Sequence, residues 1–283
     1  MRKCVLIVLC LFFQMHRMAV GEGLEFTMID VGMAECMIVT CGAETMMIDT
    51  AYIKNKDIVR EELEQMDVDS IKYLVLTHSH ADHISGTRWL IDAYEVGAVI
   101  LPPIEYGTEI FNRTIDELRR HEMDMIYPYP GDQFNLGDAT VTVYGPHPVA
   151  YMQENDWSIV LMIEYAGKKI LLTGDAQIEA EKDMLRCDDW LPLRADVLKV
   201  AHHGSNTSSS FGFVEAVSPD YAIISCGKND EAYPHVETAM TLMECGVSDI
   251  FTTEQVGNIH IKINKNGSYM ISGQRMEQFI LVK

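Results

Sequence analysis

Short apolar runs broken by glycines and polar turns alternate with amphipathic stretches along most of this chain. Leu24 to Ile29, Met37 to Thr40 and Thr45 to Ile48 are apolar runs separated by glycines, the pattern of a strand meander. Further strands are predicted at Ile71–Leu76, Val96–Leu101, Ser158–Tyr165, Lys169–Thr173, Asp196–Val200, Tyr221–Ser225 and Ile250–Phe251. Helical spacing predicts helices over Asn55–Met66, His83–Tyr94, Thr108–Met123, Ala176–Arg186, Phe211–Val217 and Glu237–Cys245. In Thr108–Met123, Ile110, Phe111, Ile115 and Leu118 share one side. Two hairpins are predicted, Gln133–Tyr144 about Gly137-Asp138 and Asn258–Ser272 about Lys265-Asn266-Gly267. Strands alternating with helices make this an α/β chain.

The strand Ile71–Leu76 runs into Thr77-His78-Ser79-His80-Ala81-Asp82-His83. Neutral imidazoles and a carboxylate suit a borderline divalent metal such as zinc. His78 and His80, two apart, can face one ion, and Asp82 with His83 can face a second after the chain turns. Leu171-Leu172-Thr173-Gly174-Asp175 is a second apolar strand ending in an acid, whose two oxygens can serve one ion each. The competing role of Asp175 is to cap the helix that follows. A third strand ends in Ala201-His202-His203-Gly204-Ser205. One of His202 and His203, with the preference on His203, can complete the ligand set of the second ion, and the other can hydrogen-bond to that set or touch substrate. Ser205, Asn206 and the run Thr207 to Ser210 can hydrogen-bond a phosphate, or cap the helix beginning near Phe211.

Taken together, these segments resemble the metallo-β-lactamase superfamily, and within it the soluble hydrolase domain of competence (DNA-uptake) proteins and its free-standing secreted relatives. The residues that carry the resemblance are Met28-Ile29-Asp30-Val31-Gly32, Met47-Ile48-Asp49-Thr50, the T-H-S-H-A-D-H run, L-L-T-G-D-A ending at Ala176, L-K-V-A-H-H-G-S from Leu198 to Ser205 with the following N-T-S-S-S, and Tyr233-Pro234-His235. The resemblance implies a four-layer αββα sandwich with two metal ions at one edge. With two such ions, Asp82 can both ligate and orient the nucleophile, and His235 can protonate the leaving oxygen or bind the developing anion, or else is a loop histidine packed by Tyr233 and Pro234. Three departures stand out. The loop Gln153-Glu154-Asn155-Asp156-Trp157-Ser158 lacks the extra ligand histidine of many members, leaving His78, His80 and Asp175, with Asn155 or Asp156 as possible additions, at the first ion. Ala51 stands where glycine often follows I-D-T. Tyr233-Pro234-His235 replaces the more usual Tyr-Gly-His-Pro.

Composition narrows the reading. Hydrophobic residues form 48% of the 283 residues, with no low-complexity linker, as expected for one large domain spanning 22–283. Trp89, Trp157, Trp190 and most of the 18 methionines are expected in the core. Residues 1–21 read as a secretory signal peptide: basic Arg2 and Lys3, apolar Val5–Phe13, and small Ala19 and Gly21 before Glu22. That predicts a secreted or extracytoplasmic protein; a start at Met15 or Met18 would instead give a cytoplasmic one. Beyond residue 21 the sequence predicts no membrane-spanning segment. The remaining cysteines, Cys36, Cys41, Cys187, Cys226 and Cys245, are odd in number and show no disulfide framework.

Net charge is −20, and −23 without residues 1–21, which hold Arg2, Lys3 and Arg17 but no acid. Such a surface repels polyanions, and no Lys/Arg cluster accompanies the ligand motifs. The expectation is therefore a hydrolase using hydroxide activated by two divalent ions, zinc first and manganese as the alternative, on a small phosphoester or short nucleic-acid ends. Thioester or lactone hydrolysis, and a metal-binding sensor without turnover, are the alternatives.

Overall fold

The computed structural model describes residues 23–103, 108–228, 233–276 and 280–282. The signal-peptide reading of residues 1–21 lies outside them. In chain order the strands are β1 (Leu24–Met28), β2 (Met37–Cys41), β3 (Glu44–Ile48), β4 (Ser70–Val75), β5 (Glu95–Ile100), β6 (Asp124–Ile126), β7 (Gln133–Leu136), β8 (Ala139–Gly145), β9 (Val160–Tyr165), β10 (Lys168–Leu172), β11 (Val197–Lys199), β12 (Tyr221–Ile224), β13 (Asp249–Thr252), β14 (Ile259–Ile263), β15 (Tyr269–Gly273) and β16 (Ile280–Val282). The helices are α1 (Lys56–Gln65), α2 (Ala81–Ile84), α3 (Thr87–Ala93), α4 (Glu109–Arg120), α5 (Ile178–Arg186), α6 (Phe211–Val217), α7 (Val236–Glu244) and α8 (Thr253–Val256).

The strands form two mixed sheets, ordered β16-β15-β14-β1-β2-β3-β4-β5-β6 and β13-β12-β11-β10-β9-β8-β7. Residues from the inner faces of both, such as Phe26, Met46, Val141, Leu161 and Ile261, form one core between the sheets. A second core joins the outer face of the first sheet to α1, α3 and α4 through Val59, Leu63, Leu90 and Leu118. A third joins the other sheet to α5, α6 and α7 through Ala180, Met184, Val214 and Leu242. This is the four-layer αββα sandwich expected from the sequence. Strand periodicity follows burial: β14 reads Ile-His-Ile-Lys-Ile with the isoleucines inward and the polar residues at the surface.

The parallel segments place the chemistry. β3, β4 and β5 run parallel, as do β10, β11 and β12. Their carboxyl ends deliver Asp49, Thr77-His78, Asp175, His202-His203 and Ser225 to one edge, where open α/β sheets leave room for a ligand.

Four details depart from the sequence reading. The helix expected over His83–Tyr94 is two helices, α2 and α3, broken at Ser85-Gly86. A Cβ on Gly86 would lie 2.3 Å from the Thr50 carbonyl oxygen, so the chain packs backbone to backbone there. Trp190, expected in the core, is 59% exposed and lies against Gly131. Several methionines expected inside, including Met152, Met240 and Met243, are exposed. β6, α8 and β16 had no clear signature, being three or four residues long. All five described cysteines are free. Among the described residues no helix is long and apolar enough to cross a membrane.

Candidate metal centre

The turn after β4 is held from beneath by Asp49. Its Oδ1 accepts the Thr77 backbone N–H at 2.8 Å and its Oδ2 accepts the Thr77 hydroxyl at 2.7 Å. Asp49 Oδ2 also accepts His83 Nδ1–H at 2.6 Å. That leaves Nε2 as the nitrogen of His83 turned toward the cluster and able to ligate. His83 Nε2 is buried without a hydrogen-bond partner, 3.3 Å from Asp175 Oδ2 and 3.6 Å from Asp82 Oδ2. Thr77 Oγ1, whose hydrogen goes to Asp49, lies 3.1 Å from His78 Nδ1 and so accepts from it. His78 Nε2 then faces His80 Nδ1 at 3.1 Å, with Asp175 Oδ2 3.9 Å from the same Nε2.

Asp175 follows β10 and is buried, with Oδ1 unpartnered. Its backbone N–H donates to Ser158 Oγ at 3.0 Å. The capping role weighed for it belongs to another acid: Asp156 Oδ1 accepts Gln177 N–H at 2.9 Å and Ala180 N–H at 3.2 Å at the start of α5. Asp156 is thus turned into the helix, and Asn155 remains beside the histidines.

The two histidines after β11 separate cleanly. His203 Nδ1–H donates to the Ser225 carbonyl at 2.8 Å, and its Nε2 lies 3.3 Å from Asp82 Oδ2 and 3.7 Å from Asp175 Oδ2. His202 stands at the rim. Its Nδ1 is 3.1 Å from Thr207 Oγ1 and 3.3 Å from Gln177 Nε2, and its Nε2 is 3.3 Å from Asn155 Nδ2 and 3.9 Å from Asp175 Oδ2. Both residues have positive φ, 52° and 54°, a conformation that costs about 1–3 kcal/mol and gathers at functional sites. Gly204 continues the turn at φ 84°, and a Cβ there would sit 2.4 Å from Pro234 Cβ. The glycine lets the segment before α7 pass directly over the turn, where His235 N–H donates to Gly204 O at 2.9 Å.

His235 Nδ1 accepts the Asn206 backbone N–H at 3.0 Å, so its proton resides on Nε2. Asn206 is exposed, whereas Ser205 is buried with its hydroxyl 3.0 Å from Thr207 Oγ1. Ser210, at the N-cap of α6, makes no side-chain cap, and buried Glu181 accepts the backbone N–H groups of Ser209 and Ser210 just ahead of the helix.

Electrostatics match a cation site. Burial, then His83, holds His78 well below the usual imidazole range, leaving it a neutral lone-pair donor. Burial opposes protonation of His83 and His203, yet Asp175 foremost, with Asp49 for the former and Asp82 for the latter, raises both. Burial likewise opposes ionisation of Asp175 and Asp82, and the facing imidazoles reverse it. Carboxylates and imidazoliums here neutralise one another, the task a divalent cation performs while displacing those protons.

Sequence reasoning missed three groups. Lys199 and Glu35, both fully buried, form an ion pair beneath the centre, and Lys199 Nζ donates to Gly174 O at 2.8 Å and lies 3.9 Å from Asp175 Oδ1. The signal was a lone lysine inside Val197-Leu198-Lys199-Val200. The third group is Glu154, in the loop that lacks a histidine.

Ligand atoms of His78, His83 and Asp175, and of Asp82, His83 and His203, lie within 4.8 Å of one another. The orphaned His83 Nε2 and Asp175 Oδ1, the neutral buried His78 and the mixed nitrogen–carboxylate donor set fit a divalent metal. Residues 29–228 match the model of the metallo-beta-lactamase superfamily, and the chain belongs to that family. Its fold and buried His/Asp cluster together fit a metal-dependent hydrolase. Within the family the chain is similar to ComE operon protein 3 of Bacillus subtilis, 25% identical over 270 residues that cover 89% of this chain and 34% of that protein. Competence protein ComA of Neisseria gonorrhoeae is 26% identical over 255 residues, covering 89% and 34%. The chain thus spans about a third of the length of these relatives. The diiron β-hydroxylase CmlA of Streptomyces venezuelae shares the fold with a TM-score of 0.58 at 13% identity, over 86% of this chain and 55% of that one.

Proposed function

We propose that the chain hydrolyses phosphodiesters, as small phosphoesters or at the ends of short nucleic acids, using two divalent ions, zinc first and manganese as the alternative. The observation that carries this reading is His83 Nε2, buried, unpartnered and directed between Asp82 and Asp175. His78, His80 and Asp175 would hold one ion; Asp82, His83, His203 and Asp175 the other. When bound, such ions supply Lewis acidity and bring the pKa of a water toward about 7.

The chain's own residues do the rest. Asp49 and the Ser225 carbonyl hold Nδ1–H of His83 and His203, so that Nε2 of each already faces the cluster. Asp82 has its carboxylate at the cluster and is partly exposed, so it orients the attacking water. As the new P–O bond forms, the ester P–O bond breaks and the departing oxygen takes a proton. His235 Nε2–H, set by the Asn206 N–H on the opposite ring nitrogen, is the group proposed to supply it. Asn206, exposed beside that histidine, is a neutral partner for phosphate oxygens. The net charge of −20 disfavours a long duplex, while small or terminal phosphoesters avoid that repulsion. The preference for phosphodiesters over thioesters and lactones rests on the sequence resemblance to DNA-uptake proteins. The N-terminal basic–apolar pattern supports, under the same reading, a location outside the cytoplasm.

The test is a panel of chromogenic phosphodiester, thioester and lactone substrates with metal-replete protein. Phosphodiester turnover abolished by chelator and by Asp175→Ala is expected. Turnover of only a thioester or lactone overturns the substrate class, and no turnover anywhere favours a binding role.

A further inference from the structure

We propose that Glu154 is a positioning residue that fixes His80 as an Nδ1 ligand, so that the histidine-free loop serves the first ion through His80 rather than by direct contact. This rests on the two-ion reading above. His80 aims Nδ1 at His78 Nε2, 3.1 Å away, and its opposite ring nitrogen, Nε2, lies 3.2 Å from Glu154 Oε2. The same carboxylate oxygen accepts the Ser79 hydroxyl at 2.6 Å, so its position is set from within the ligand turn. An acid on the outer nitrogen of a ligand imidazole holds the tautomer and raises ligand basicity, and losing it typically lowers metal affinity about 10–100-fold.

The other histidines of the cluster each have such a support. His78 has Thr77, His83 has Asp49 and His203 has the Ser225 carbonyl. His80 is the most exposed of the four, with 42% of its side chain accessible, and Glu154 is the group that faces its outer nitrogen. The loop is anchored for this purpose. Asp156 caps α5, Asp156 N–H donates to Gln153 O and Ser158 N–H to Asn155 O, which sets Glu154 on one side and Asn155 against His202 on the other. Two neighbouring loop residues therefore address two different histidines.

Two readouts test this in full-length protein. In Zn²⁺-loaded protein, long-range proton–nitrogen NMR reads which His80 nitrogen carries the proton. Wild type and Glu154→Gln are expected to show Nε2–H with Nδ1 left to the ion, because the glutamine carbonyl still accepts it, while Glu154→Ala is expected to mix Nδ1 and Nε2 ligation. Calorimetric titration with Mn²⁺ is expected to show one class of sites weakened about 10–100-fold in Glu154→Ala, the other class unchanged, and most of the loss recovered in Glu154→Gln. An unchanged tautomer and affinity in Glu154→Ala overturns the proposal. Equal weakening of both classes also overturns it, since the loop would then act only as scaffold. Wild-type protein that binds no Mn²⁺ or Zn²⁺ overturns the two-ion reading and the proposal with it, an outcome distinct from the two above, in which wild type binds and the variant alone decides.

Discussion

Replacing Lys199 by methionine keeps most of the buried stem and deletes the ammonium. Glu35, 0% exposed, then loses its paired ammonium, and the Gly174 carbonyl loses a donor 2.8 Å away. Removing one partner of a buried ion pair costs about 3–5 kcal/mol, because the remaining charge is left without compensation. The unpaired carbonyl adds about 1–3 kcal/mol. Lys199→Met should therefore lose roughly 4 kcal/mol or more in urea unfolding of metal-free protein near neutral pH. Lys199→Met/Glu35→Met removes both charges and should recover most of that loss, retaining a deficit of about 1–3 kcal/mol from the carbonyl. The pH dependence has a definite sign. Burial already raises the Glu35 carboxyl above its ordinary value while Lys199 opposes, so losing Lys199 raises it further. A raised carboxyl contributes stability below its unfolded pKa and loses it as pH rises through the folded value. The single variant should thus be closer to wild type near about pH 5 than near about pH 8. A single variant within about 1 kcal/mol of wild type, or a double variant no more stable than the single, would refute this account of the pair.

Asp156→Ala should destabilise the protein by about 1 kcal/mol, read by urea midpoint, through loss of the α5 cap, with no change in metal stoichiometry. Saturating Zn²⁺ at about 100 times Kd should stabilise wild type by about 2.7 kcal/mol in thermal unfolding and leave Asp175→Ala nearly unmoved. Because His83 and His203 hold protons above the usual imidazole range, metal uptake should release protons, and apparent affinity should fall as pH drops through those raised values. Calorimetry in two buffers of different ionisation enthalpy measures that release; identical heats would contradict it. His235→Gln should lower phosphodiester turnover by about 10²-fold or more for a poor leaving group and much less for an activated nitrophenolate, which departs without a proton.

Much of this fold was legible from local pattern. Glycine-bounded apolar runs located the long strands, and helical spacing located α1, α4 and α6, because each buries a continuous face. What escaped were elements whose existence depends on neighbours: β6 and β16 are three-residue edge strands, and the break between α2 and α3 is made by Gly86 meeting the distant Thr50 carbonyl. The site divides in the same way. Histidines and acids clustered at strand ends announced a cation centre, but the hydrogen bonds that choose among them are long-range. The Ser225 carbonyl selects His203 Nδ1 from 22 residues away, and Asp49 reaches His83 across 34. Ala51, where glycine is common, adopts φ 55° in a fully buried turn, so the left-handed backbone persists without the residue that best tolerates it. Trp190 misled because a large aromatic side chain looks interior from composition alone, yet here it covers Gly131 at the surface.

The most direct measurement is metal content per chain after reconstitution and gel filtration, comparing wild type with Asp175→Ala by plasma mass spectrometry. Two tightly held divalent ions per wild-type chain and at most one, weakly held, in the variant are the predicted values. A wild-type chain that retains no divalent ion, or a variant indistinguishable from it, would contradict a centre in which Asp175 joins His78 and His80 to Asp82, His83 and His203.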